Sequence, residues 1–149
     1  MVTSALLSAI HVLTLALGLR ALGARGRALA QPLDDAGWKQ LLAADNQWGI
    51  AALLWITSGM ARVRFGGKDP SFYFRNGFFW IKMSLFLVVL LLELAPMTTF
   101  IRARIARSRG APAPVFPIAA YRRINHAEAM LVVAIVFVAA FMARGAWLF

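Results

Sequence analysis

Four long apolar runs, parted by short connections rich in charge, glycine and proline, organise this chain of 149 residues. They lie at about 2–22, 47–63, 78–100 and 125–149. A helix needs about 17–25 apolar residues to cross about 30 Å of hydrocarbon, and each run approaches or exceeds that length. The pattern predicts an all-α integral membrane protein, a four-helix transmembrane bundle forming one domain over residues 1–149.

The connections carry their own signals. In 23–44, Pro32 marks a turn, and Asp34 or Asp35 is placed to cap a short interfacial helix bearing Trp38, Leu41 and Leu42. Asp45 then reads as the cap of the second run. Gly66-Gly67 and Asp69-Pro70 mark turns in 65–76, and the aromatics Phe72 to Phe74 and Phe78 to Trp80 resemble an interfacial belt. The third connection is basic from Arg102 to Arg109. It then carries Pro112, Pro114 and Pro117, which predict an extended connector within reach of anionic lipid heads.

Polar and small residues within the runs indicate which faces turn inward. Ser4, Ser8, His11, Thr14 and Gly18 recur at helical spacing in the first run, and small residues let helices approach in lipid. Gly49, Ala52, Ile56 and Gly59 suggest a similar face in the second. Lys82 and Glu93 share a face but stand about 16 Å apart at ~1.5 Å per residue, too far to pair. Arg122, Asn125 and Glu128 share a face, whereas His126 points about 100° away from Asn125. Sorted by depth, these groups form two polar layers. His11 and Lys82 make one, and Asp45, Glu93, Asn125, His126 and Glu128 make the other, near Arg20 and Arg123.

Composition strengthens the membrane assignment. Hydrophobic residues make up 61% of the chain and the mean hydropathy is +0.71, against about 45–50% apolar residues in soluble domains. There is no cysteine, which removes disulfides, thiolate chemistry, iron–sulfur clusters and cysteine-based zinc sites. The net charge of +10 sits at the ends of the runs, where topology signals belong, so nucleic acid is not the expected partner. Of the 16 cations, ten fall on the side of the first and third connections and five on the other, with Lys82 inside a run. The positive-inside rule then puts both termini outside the cytoplasm of a bacterial inner membrane. Ala28-Leu29-Ala30 resembles a signal-peptide cleavage site. The first cation is Arg20, however, after an apolar core longer than about 7–15 residues, so the run reads as an uncleaved span.

The buried polar groups carry the candidate chemistry, each beside a plainer role. Lys82 either snorkels to the interface or meets His11 or a ligand. His11 either hydrogen-bonds within the bundle, to Ser8, Thr14 or a carbonyl of another helix, or serves as the axial ligand, the metal-binding group, of a haem b. Glu93 and Glu128 either pair with Arg20 or Arg123 or form a proton relay. Six methionines are scattered without the clustering of a copper path.

Two resemblances follow from particular residues. The stretch from Ala44 to Ala52, then Thr57-Ser58-Gly59, Gly67-Lys68, Ser71-Phe72-Tyr73, Asn76 and Phe79 to Lys82, with Pro96-Met97-Thr98 and Met142 to Gly145, resembles a family of predicted bacterial four-helix membrane proteins, a domain of unknown function. It implies a location and a topology. More distantly, His11, Lys82 and the run Tyr121 to Asn125 fall where HemJ-type protoporphyrinogen oxidases carry a histidine, a lysine and an Arg-x-x-Asn-Glu-like entry to the fourth span. His126 stands where that family has the glutamate, and Glu128 follows two residues later. This likeness implies haem on His11, Lys82 at the tetrapyrrole and oxidation of protoporphyrinogen, with Lys82 and Glu128 as candidate catalytic groups.

Three functions are therefore carried forward. The first is a haem-containing membrane redox protein using His11 and Lys82. The second is a non-catalytic subunit packed against a larger membrane complex or a second copy of itself. The third is a small transporter or proton-conducting bundle using Glu93 and Glu128.

Overall fold

The computed structural model describes residues 2–146 and is helical almost throughout. Four long helices, α1 (Val2–Ala28), α2 (Asp35–Phe65), α4 (Gly77–Ser108) and α5 (Ile118–Ala143), are joined by short connections, one of which holds the five-residue α3 (Pro70–Phe74). At 1.5 Å per residue they span about 39–48 Å. Residues 147–149, the end of the fourth apolar run, lie outside the described residues.

α1 packs along α2 and, less extensively, along α5; α4 packs along α5 and touches α2 lightly. Successive long helices run in opposite directions, so one end of the bundle gathers the end of α1, the start of α2, the end of α4 and the start of α5. That end holds most of the arginines and is called the basic end below.

Three apolar layers fill the interior. Ala21, Leu22, Trp48, Trp55, Val89, Val132 and Ile135 form the middle. Leu41, Trp38, Phe100, Ala103 and Tyr121 lie at the basic end, and Tyr73, Phe79 and Met142 at the other. Outward faces remain apolar, among them Leu13 and Leu17 on α1, Leu87, Leu91 and Leu94 on α4, and Phe137 and Phe141 on α5. Such broad apolar exposure on long helices fits lipid as the surrounding medium. α1, α4 and α5 are long and apolar enough to cross a membrane. α2 is as long, but Trp48, Trp55, Thr57, Ser58, Arg62 and Arg64 dilute its apolar stretch.

Several expectations are corrected. No separate interfacial helix forms at Trp38, because α2 runs unbroken from Asp35, capped by Asp34, whose carboxylate accepts from the Gly37 N–H at 2.8 Å. Asp45 is therefore a mid-helix residue and caps nothing. The small residues of α2 do not set its inner face: Gly49 is exposed, and Asp45, Trp48, Ala51, Trp55 and Ser58 turn inward, one position earlier along the helix. The stripe on α1 does turn inward, with Thr14 and Gly18 buried and the edge of Trp48 against Gly18. α4 continues past residue 100 through the basic segment, and the connection that follows it runs without regular structure over 111–117, where three prolines lie.

Candidate functional site

Arg25 is the centre of the molecule's buried chemistry. Its position in sequence reads as the first connection, yet α1 continues through it and only 1% of the side chain is exposed. An ionised guanidinium at such a place requires partners for its charge and for its five N–H groups. Each of the other three long helices supplies them. Nε donates to Asn125 Oδ1 on α5 at 2.8 Å, and Asn125 Nδ2 donates to the Leu22 carbonyl at 3.1 Å. Nη1 donates to both oxygens of Glu93 on α4 at 2.9 Å and to Asp45 Oδ1 on α2 at 3.3 Å. Nη2 donates to Glu128 Oε2 on α5.

The outer contacts of the cluster are unequal. Asp45 Oδ2 accepts from Arg104 Nη2 at 2.6 Å, and Arg104 is 30% exposed, so this pair links the interior to the basic end. Glu93 Oε2 also accepts from the Trp48 indole at 3.1 Å. Glu128 is fully buried, and its Oε1 has no hydrogen-bond partner. Its carboxyl lies against that of Glu93. Three carboxylates thus share two guanidinium groups, leaving one formal negative charge.

Glu93 and Glu128 pair with Arg25, correcting the expectation of Arg20 or Arg123, because Arg25 is the arginine on the inward face of α1. Two sequence signals point to this cluster. Arg25 continues the stripe of Thr14 and Gly18 at helical spacing, and Arg104 lies eleven residues beyond Glu93, as Glu93 does beyond Lys82. Among the described residues, no group of three His, Asp or Glu side chains is arranged to hold a metal ion. Within the cluster, Arg25 occupies the space between the three acids. His126 is exposed on the outer surface of α5.

His11 and Lys82 lie in a second polar layer toward the opposite end, both half-buried. His11 Nδ1 lies 2.8 Å from Ser58 Oγ, its ring is 5.9 Å from that of Trp55, and Gly59 faces its Cε1. Ser58 donates its hydroxyl proton to the Trp55 carbonyl at 3.1 Å, so in the neutral ring Nδ1 is the donor to Ser58 and Nε2 carries the lone pair. Lys82 Nζ lies 5.2 Å from the Phe79 ring centre, within electrostatic reach of His11, as is Arg62. The middle apolar layer, with Trp55, Val89, Val132 and Ile135, separates the two polar layers.

Apolar outer faces, opposed long helices and a buried charge cluster centred on Arg25 define a helical membrane protein with an ionisable core. A family model described as "Predicted membrane protein (DUF2214)" matches residues 3–146, and the chain belongs to that family. No curated protein and no solved structure matches the chain.

Proposed function

We propose that this is a small proton-handling protein of the bacterial inner membrane, crossing the bilayer with all four long helices and holding its basic end toward the cytoplasm. The carrying observation is the surplus of one carboxylate around the buried Arg25, together with the unbonded Oε1 of Glu128. A lone negative charge in a low-dielectric interior is costly, and a single proton removes it. Glu93 already accepts from Arg25 and Trp48, whereas Glu128 accepts only from Arg25, so Glu128 is the carboxyl that takes the proton. That proton turns the Glu93–Glu128 contact into a hydrogen bond. Arg25 keeps its charge throughout and steadies the anions once the proton leaves. Asp45 and Arg104 connect the cluster to the basic end.

Infrared difference spectra of the purified protein test the proton, and reconstituted liposomes test its movement. A protonated-carboxyl band lost in Glu128→Gln, with proton flux that falls to the level of empty liposomes in Glu128→Gln and Glu93→Gln, is the expected result. Absence of the band, or flux unchanged in both variants, sinks the proposal.

His11 supports a second function. Its Nδ1–H on Ser58 leaves the lone pair on Nε2, the arrangement that typically orients a metal-bound histidine. A haem would be held there by His11, with Lys82 and Arg62 near enough to attract its propionates, and it would supply one-electron transfer. The likeness to HemJ-type enzymes makes protoporphyrinogen the substrate to try first. A Soret band present in the wild type and lost in His11→Ala is the expected spectrum. A wild type that stays colourless after haem addition removes this function and leaves the proton proposal standing.

A further inference from the structure

Beside the charge cluster, a groove of about 720 Å³ runs between α1 and α5 on the outer surface of the bundle. Its end nearest the basic side carries Arg122, Arg123 and His126, and its partly exposed apolar walls toward the middle of the bilayer are Leu19 and Ala129. Gly23 and Gly26 keep the α1 wall low. A Cβ at Gly23 would meet only the flexible end of Arg27, at 3.5 Å.

The acids of this chain explain why the groove needs an outside partner. There are six, and all are engaged elsewhere. Asp45, Glu93 and Glu128 hold Arg25 and Arg104. Asp35 holds Arg107, and Asp34 and Asp69 cap α2 and α3. Arg122 and Arg123 therefore have no acidic partner among the described residues. Two uncompensated guanidinium groups at the head of an apolar trough between membrane helices match the two halves of one kind of molecule.

We propose that this groove binds an anionic phospholipid, its phosphate on Arg122 and Arg123 and an acyl chain along Leu19 and Ala129. The guanidinium forks donate paired N–H groups to phosphate oxygens, and the apolar walls remove part of the chain from competing lipid. The site stands apart from the proton proposal, since neither arginine belongs to the cluster.

Thermal unfolding of the full-length protein in a neutral detergent, titrated with phosphatidylglycerol or phosphatidylcholine, tests the assignment. Phosphatidylglycerol is expected to raise the midpoint, phosphatidylcholine much less. The double variant Arg122→Gln/Arg123→Gln should lose most of that shift, whereas Arg102→Gln/Arg109→Gln, equally basic and outside the groove, should keep it. Gly23→Leu, which fills the trough and leaves both arginines in place, should also lose it, and this guards against a double variant that folds poorly. Equal shifts from both lipids, or a full shift retained in the groove variants, overturns the site. Glycerol phosphate reproducing the whole effect overturns the lipid assignment in favour of a soluble anion.

Discussion

At the scale of single residues, the buried arginine sets the expectations. Removing one member of a buried ion network leaves uncompensated charge and costs about 3–5 kcal/mol, more than the network itself contributes over an apolar replacement. Arg25→Gln would leave three acids in the interior with Arg104 as their one remaining cationic partner. It should lower the unfolding midpoint in detergent far more than Arg104→Gln, whose side chain is 30% exposed. The acids should respond unequally. Glu128→Gln copies the protonated carboxyl and should leave stability at neutral pH within about 1 kcal/mol of wild type, whereas Glu93→Gln weakens bonds from both Arg25 and Trp48 and should cost about 1–3 kcal/mol. Unfolding of the two variants side by side checks this, and equal losses would contradict the placement of the proton on Glu128. The acids are visible in the sequence as one layer, with Arg20 and Arg123 as the nearest cations on offer. The cation was hidden because an arginine between Gly23 and Gly26, just past an apolar run, has the local features of a helix end. Only the partners on three other helices make it pay to continue α1, and those contacts are distant in sequence.

At the scale of elements, two short features decide how helices begin and meet. A Cβ at Gly26 would stand 2.9 Å from Asn125 Nδ2, the flexible end of the side chain that steadies Arg25. Gly26→Ala should therefore disturb the α1–α5 contact through Asn125, costing about 1–3 kcal/mol by the loss of a buried hydrogen bond; Asn125→Ala should remove most of the additional effect in a double-mutant cycle. At the other end, Asp69 caps α3 from the connection outside the apolar runs. The Ser71 hydroxyl and then its amide, 2.8 Å from Asp69 Oδ1, hold this carboxyl below its ordinary value of 3.8. A lowered value means that the cap is in place at neutral pH and is lost as the pH falls through the folded-state value. The Ser71 amide resonance should follow that titration, and Ser71→Ala should move its midpoint upward. Helix positions were legible because apolar periodicity is a local signal, and so was a cap at Asp34 or Asp35, though Asp34 caps the long α2 and not a separate interfacial helix. Continuity across 35–46 was not, since polar residues there resemble a connection until Asp45 and Trp48 acquire partners in the interior. Gly49 misled for a related reason, although Gly59 does face His11 on α1. Small residues often mark helix contacts in lipid, but here two tryptophans and an aspartate occupy the contact face.

At the scale of the whole molecule, the arrangement of charge predicts which way the bundle should sit. With Arg25 neutralised in the interior it no longer counts as a topology signal, yet the basic end still carries Arg102, Arg104, Arg107, Arg109, Arg122 and Arg123 beside Arg20, Arg27 and Lys39. The opposite end has Arg62, Arg64, Lys68, Arg75 and Arg144. The excess predicts a cytoplasmic basic end. It also predicts that α2 spans the bilayer although its apolar stretch is the weakest, because α1 and α4 run in the same direction and the chain must return between them. The chain has no cysteine, so single cysteines can report each connection without background. In intact bacterial cells, a membrane-impermeant thiol reagent should label a cysteine placed at Lys68 and spare cysteines placed at Gln31 or Ala111. Disrupting the inner membrane should open both of the latter to the reagent. Labelling of Gln31→Cys and Lys68→Cys from the same side would mean that α2 lies along the interface, leaving three spans. It would also break the cluster's geometry, since Asp45 reaches Arg25 only if α2 runs antiparallel to α1 through the same depth.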